Sequence, residues 1–134
     1  MSADAPKRSL EQATARAAAN FPRAARLLKH ADFERVYKQG KRVFSAHMTV
    51  FYLGRTEGGA RVGFTVGRVL GIAVKRNRTK RRLREAVRLK RALLEAPVDV
   101  VINPKKSTLT VGFPVVLEEV TRAFETISRK LAEK

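Results

Sequence analysis

RVGFTVGRVLGIAVKRNRTKRRLREAVRLKRALLEAPVDVVIN, residues 61–103, carries the fold of this chain in outline. Its two ends, RVGFTVGR (61–68) and VDVVIN (98–103), are short and rich in β-branched residues, as strands are. Between them the periodicity changes. On a helical wheel Ile72, Thr79, Leu83, Ala86, Val87 and Leu94 collect on one side, which predicts a helix from about residue 73 to 95. Pro97 stops it, because its ring cannot continue a helix. Strand, helix, strand in this order makes a βαβ crossover within a mixed sheet. The uninterrupted apolar run of VDVVIN suits a central strand covered on both faces.

Working upstream, VFSAHMTVFYLGR (43–55) reads as one strand, with Thr49, Phe51 and Leu53 on one face and Val50 and Tyr52 on the other. The turn TEGGA (56–60) then predicts an antiparallel hairpin with 61–68. Before it, HADFERVYKQG (30–40) has Phe33, Val36 and Tyr37 at helical spacing. Asp32 or the residue before it is the expected cap, and Gly40 the expected left-handed stop. Downstream, the loop PKKSTLTVGFP leads to an amphipathic helix over 114–132 whose apolar face is Val116, Leu117, Val120, Phe124, Ile127 and Leu131. Residues 1–20 hold no aromatic residue and read as a flexible basic arm. Residues 21–134 then form a single α+β domain.

The charge is extreme. Twenty-nine Lys and Arg face twelve Asp and Glu, a net charge of +17 and a pI near 11.4. Ten of the seventeen residues from Lys75 to Arg91 are basic, and only Glu85 opposes them. Such density repels itself along a helix unless a polyanion relieves it. Arginine outnumbers lysine there, and its planar fork suits phosphate. Asn77 adds a neutral donor and acceptor. Nucleic acid is the expected partner. No cysteine is present, which excludes disulfides and fits a reducing cytoplasm. No apolar run approaches the ~18 residues of a membrane span, so no membrane partner is expected.

A reaction centre is not expected in this chain. His30 and His47 show no pairing logic, and Asp32, Glu34, Asp99, Glu118 and Glu119 lack metal-ligand spacing. GRVLG (67–71) lacks the lysine and hydroxyl residue of a phosphate loop. Six aromatics, Phe33, Tyr37, Phe44, Phe51, Tyr52 and Phe64, cluster in the first half. Core packing accounts for at least half of them. An open sheet face can instead present some of them as stacking platforms for single-stranded bases, with Phe33, Tyr37 and Phe51 lining a cleft as one arrangement.

The stretch VGFTVGRVLGIAVKRNRTKRRLREAVR closely resembles the signature of the bacterial ribonuclease P protein subunit, carried by Gly71, Ala73-Val74, Arg76-Asn77-Arg78, Lys80-Arg81 and Arg84-Glu85. FPRAARLLKHADFERVYKQGKRV resembles that family's opening, and VDVVI with the last helix its end, over about residues 21–130. The resemblance implies a mixed sheet of about four strands with three helices and a left-handed crossover, against the general right-handed rule. It implies a catalytic RNA partner, bound one to one, that removes the 5′ leader of precursor tRNA with Mg2+ held mainly by the RNA, and no cofactor held tightly by the protein. Arg68, Lys75, Arg76, Asn77, Arg78, Lys80, Arg81 and Arg84 would face that RNA. Phe33, Tyr37, Thr49 and Phe51 would line a cleft for the single-stranded leader. The chain departs from the pattern at Val69, often basic in the family, and at Ile72, often Asn or Lys. Two other classes remain: a ribosomal or nucleoid protein that only coats nucleic acid, and a self-sufficient protein ribonuclease.

Overall fold

The computed structural model describes residues 21–67 and 70–133. The expected N-terminal arm, Arg68 and Val69 lie outside the described residues. In chain order the elements are α1 (His30–Gln39), β1 (Lys41–Phe44), β2 (Met48–Gly54), β3 (Arg61–Phe64), α2 (Ala73–Lys90), β4 (Val98–Pro104) and α3 (Phe113–Ala132). The strands form one mixed sheet in the order β1-β2-β4-β3. β2 is antiparallel to both β1 and β4, and β3 is parallel to β4. Among the described residues the fold is α+β, three α-helices on a four-stranded sheet.

The expected hairpin between residues 43–55 and 61–68 does not form. β4 inserts between β2 and β3, so that Asp99 is the register partner of Leu53 on one side and of Arg61 on the other. The reason lies in β4 itself: Val98 to Ile102 are all buried, and only a central strand covers both faces of such a run. The stretch expected as one strand instead folds on itself. Ser45–His47 turn the chain, and β1 pairs with β2 from Lys41↔Tyr52 to Phe44↔Thr49. The parallel β3–β4 pair requires a long crossover, which α2 supplies.

Alternation sorts the strands into two faces. One face (Met48, Val50, Tyr52, Val62, Val98, Val100, Ile102) packs against Leu83, Ala86 and Val87 of α2 and Val116, Val120, Ala123, Phe124 and Ile127 of α3. The other face carries a smaller cluster, in which Leu27, Val36 and Val101 are buried among Phe33, Tyr37, Phe51 and Leu53. Among the described residues the molecule is therefore three layers, with α1 as the helix on the second face. The β3 edge is shielded by the incoming chain: Leu27 N–H donates to the Val62 carbonyl at 3.0 Å, and Phe21 meets Phe64 edge to face. The β1 edge keeps Lys41 and Arg42 exposed, which discourages strand addition.

Three local expectations are corrected. Asp32 does not cap α1. The helix starts after Lys29 without a side-chain cap, and Asp32 is buried in the first turn, bonded to Arg35 at 3.1 Å and Arg61 at 3.4 Å. Gly40 is not left-handed, since its φ is −83°. Glycine is needed because a Cβ would lie 2.5 Å from the carbonyl oxygens of both Val36 and Tyr52. Ile72 does not join the buried stripe of α2. It precedes the helix in extended conformation and is 67% exposed.

Candidate nucleic-acid interface

α2 buries Thr79, Leu83, Ala86 and Val87 and leaves its cations on two flanks and an outer ridge. Arg76, Lys80 and Arg84, four residues apart, form the flank toward α1 and β3. Lys75 and Arg78 lie on the opposite flank, where a shallow pocket also takes in Lys106. Asn77 and Arg81 are exposed on the outer side. α2 has no side-chain cap and no acid in its first turn. Its free N–H groups add to Lys75, Arg76 and Arg78 in one concentrated positive pole. The Nε–H of Arg76 is buried and lacks an acceptor.

Arg82 and Arg88 are spent on the protein. Arg82 donates to the carbonyls of Thr108 and Val111 at 2.5 and 2.6 Å and so ties the loop after β4 to the helix. Arg88 closes on Glu85, with contacts of 2.5–3.1 Å. That bond holds the Glu85 carboxyl below its ordinary range, against a smaller opposing effect of desolvation. Of the motif positions expected to face RNA, all seven that lie among the described residues sit on α2. Six of them (Lys75, Asn77, Arg78, Lys80, Arg81, Arg84) are exposed and Arg76 is half-buried.

The expected cleft is divided by α1. On the β3 side, Phe33 and Tyr37 line an open groove of about 570 Å³ with Leu28, His30, Glu34, Phe64, Thr65, Val66 and Lys80. A second hollow shares Leu28, Phe33, Phe64 and Lys80 and reaches Arg84. The cationic flank of α2 thus borders the aromatic groove. Phe33 fits because residue 63 is glycine; a Cβ there would stand 2.6 Å from the ring. Thr49 and Phe51 lie on the β2 side. Phe51 packs edge to face on Tyr37, ring centroids 4.9 Å apart, and Arg42 covers it at 5.3 Å. Tyr37 joins the two sides: its hydroxyl donates to Asn103 Oδ1 at 2.8 Å and meets the Thr65 hydroxyl at 2.5 Å.

Asn103, Thr65 and Arg82 escaped the sequence reading. Period-two alternation from Val101 places Asn103 under α1, so that signal was present. The sequence holds no sign of the partners of Arg82, which come from a loop 26 and 29 residues away. Among the described residues no group of three or more His, Cys, Asp or Glu converges as a metal-ligand set, and the buried acids Asp32 and Asp99 are engaged by arginines. No helix among the described residues is long and apolar enough to cross a membrane.

The family model described as Ribonuclease P matches residues 21–128. The Ribonuclease P protein component of Symbiobacterium thermophilum is 40% identical over 104 residues, 77% of this chain and 90% of its own. The RNase P protein from Thermotoga maritima has a TM-score of 0.69 at 28% identity, covering 75% of this chain and 96% of that one. The RNase P protein of Staphylococcus aureus has a TM-score of 0.69 at 25% identity, over 78% of this chain and 96% of that one.

Proposed function

The chain belongs to the ribonuclease P protein family, and from that premise we propose how its surfaces divide the work. It is the protein subunit of ribonuclease P, part of an endoribonuclease holoenzyme, with the ribonuclease P RNA and a tRNA substrate as partners. In our reading the RNA performs the cleavage with Mg2+ that it binds itself, one protein to one RNA, in the cytoplasm. The protein's share is electrostatic and positional. The exposed cations of α2 take phosphates of the catalytic RNA, and the groove beside them takes the unpaired 5′ leader of the precursor.

The observation that supports this most is the juxtaposition of the two surfaces. Lys80 and Arg84 stand on the RNA-facing helix and also line the hollows that hold Phe33. A backbone passing there meets cations, and its bases meet an aromatic wall. Neutralising phosphates at this junction lowers the repulsion between two polyanions, so less Mg2+ is needed to bring substrate and catalytic RNA together.

The test uses three incubations of precursor tRNA at low Mg2+: with the protein, with the catalytic RNA, and with both. Cleavage at the mature 5′ end in the third alone is the expected result. Cleavage by the protein alone would assign the reaction to this chain. No gain from adding the protein would reduce it to a coating protein.

A further inference from the structure

Phe44 is 71% exposed, the most exposed large apolar side chain among the described residues and the only aromatic among the exposed ones. A single exposed apolar residue is ordinary. Its setting is not. Register places Phe44 opposite Thr49 on β2, and Thr49 opposite Asn103 on β4. Thr65, one residue past the Phe64↔Ile102 pair, continues the same row and donates its N–H to the Ile102 carbonyl at 3.0 Å. Phe44, Thr49, Asn103 and Thr65 therefore form one cross-strand row on the α1 face of the sheet, spanning three strand spacings, roughly 14 Å.

This row holds no aliphatic side chain. The Tyr37 hydroxyl bonds to its last two members, Asn103 and Thr65. Asn103 accepts through Oδ1, which leaves its amide N–H2 free to donate. One end, Thr65, lines the groove that holds Phe33 and Tyr37. The other end is the open ring of Phe44. Phe51, expected to offer a stacking face, is covered by Arg42 and edge-packed on Tyr37. Arg42 stands two residues from Phe44 on the same strand face and supplies positive charge beside it.

We propose that this row is a track for the precursor's leader beyond the groove, and that Phe44 is a base-stacking residue at its far end. The occupant is unpaired RNA. Its phosphates match the net charge of +17 and Arg42, the polar row donates to phosphates or base edges, and the exposed ring takes a base face. The track begins at a side chain of the groove itself, so the leader is the strand already delivered there. This inference rests on the leader-binding reading above.

The experiment uses the assembled holoenzyme and precursor tRNAs whose leaders are lengthened one nucleotide at a time. Affinity is measured for the native protein and for Phe44→Ala, Phe44→Leu and Phe44→Tyr. Short leaders are expected to bind all four equally. Past a threshold length Phe44→Ala and Phe44→Leu fall behind, Phe44→Ala on the order of tenfold, and Phe44→Tyr tracks the native protein. Coincident curves at every length overturn the proposal. So does a loss that is independent of leader length and accompanied by weaker binding of the catalytic RNA alone, which would assign Phe44 to that RNA. Self-association of the free protein that Phe44→Ala abolishes would assign it to a second copy, and also overturns the proposal. Phe33→Ala in parallel separates the two readings. If it lowers leader affinity while Phe44→Ala does not, only the track fails. If neither does, leader binding in the groove fails as well.

Discussion

Arg61 holds Asp99 with two parallel hydrogen bonds, Nε to Oδ1 and a terminal nitrogen to Oδ2, each 2.8 Å. The two are also register partners across β3 and β4. Asp99 is 1% exposed, and its hydrogen bond is the foremost cause that raises the Arg61 guanidinium above its ordinary value. Arg61 reaches on to Asp32 in α1, so one arginine joins two strands and the helix that walls the groove. Asp99→Asn keeps the shape but takes away this cation's closest charged partner and leaves it only the longer contact to Asp32. Unfolding free energy is expected to fall by about 3 kcal/mol, read as a lower denaturant midpoint at unchanged slope.

Tyr37→Phe isolates the role of one hydroxyl. The ring stays on Phe51, while Asn103 and Thr65 lose their shared partner. The expected stability cost is about 1 kcal/mol, and leader affinity is expected to drop with little change in affinity for the catalytic RNA. Equal losses for both RNAs in binding titrations would instead show that the hydroxyl serves the fold as a whole.

Gly63→Ala tests the seat of Phe33. The new methyl would lie 2.6 Å from the Phe33 ring and 2.9 Å from the Leu27 carbonyl. Because backbone cannot yield as a side chain does, the substitution is expected to cost roughly 1–3 kcal/mol and to displace Phe33. Thermal denaturation checks the first effect, and leader-length titration of the folded fraction checks the second.

Glu85→Gln releases a cation. Glu85 engages Arg88 on the otherwise basic helix, and because its carboxyl is held below the ordinary range it stays ionised at neutral pH. Its contribution is present above that range and lost as the pH falls through the lowered value. Removing the charge frees Arg88 for phosphate. Affinity for the catalytic RNA is expected to rise, and the slope of log affinity against log salt to steepen by up to about one. For the native protein, six or more phosphate contacts give a loss of roughly a thousandfold between 50 and 200 mM salt. A shallow slope would show that α2 is not the phosphate-binding face.

Most helices and the core stripe could be read from spacing alone. Val36 and Tyr37 face the sheet from α1, Leu83 and Val87 from α2, and Val120, Phe124 and Ile127 from α3. These readings succeed because burial of one helical face is a local, periodic demand on the sequence. The cations of α2 were legible for the same reason. Strand pairing was not. TEGGA has the look of a hairpin turn, and nothing in residues 43–68 records that β4, more than thirty residues later, takes the place between β2 and β3.

The sequence by itself determined a basic helix flanked by strands, a central position for VDVVIN, and a family signature. Only the tertiary structure decided which of the cations are free, which aromatics are open, and which side chains share a row. Arg82 and Arg88 look like their neighbours in sequence, but a carbonyl pair and a carboxylate claim them. Phe51 reads as the cleft aromatic, yet Arg42 covers it, while Phe44 faces solvent. The physical reason is range. Helical periodicity acts over a few residues, whereas a hydrogen-bond partner or a register neighbour is brought in by the chain's return from far away.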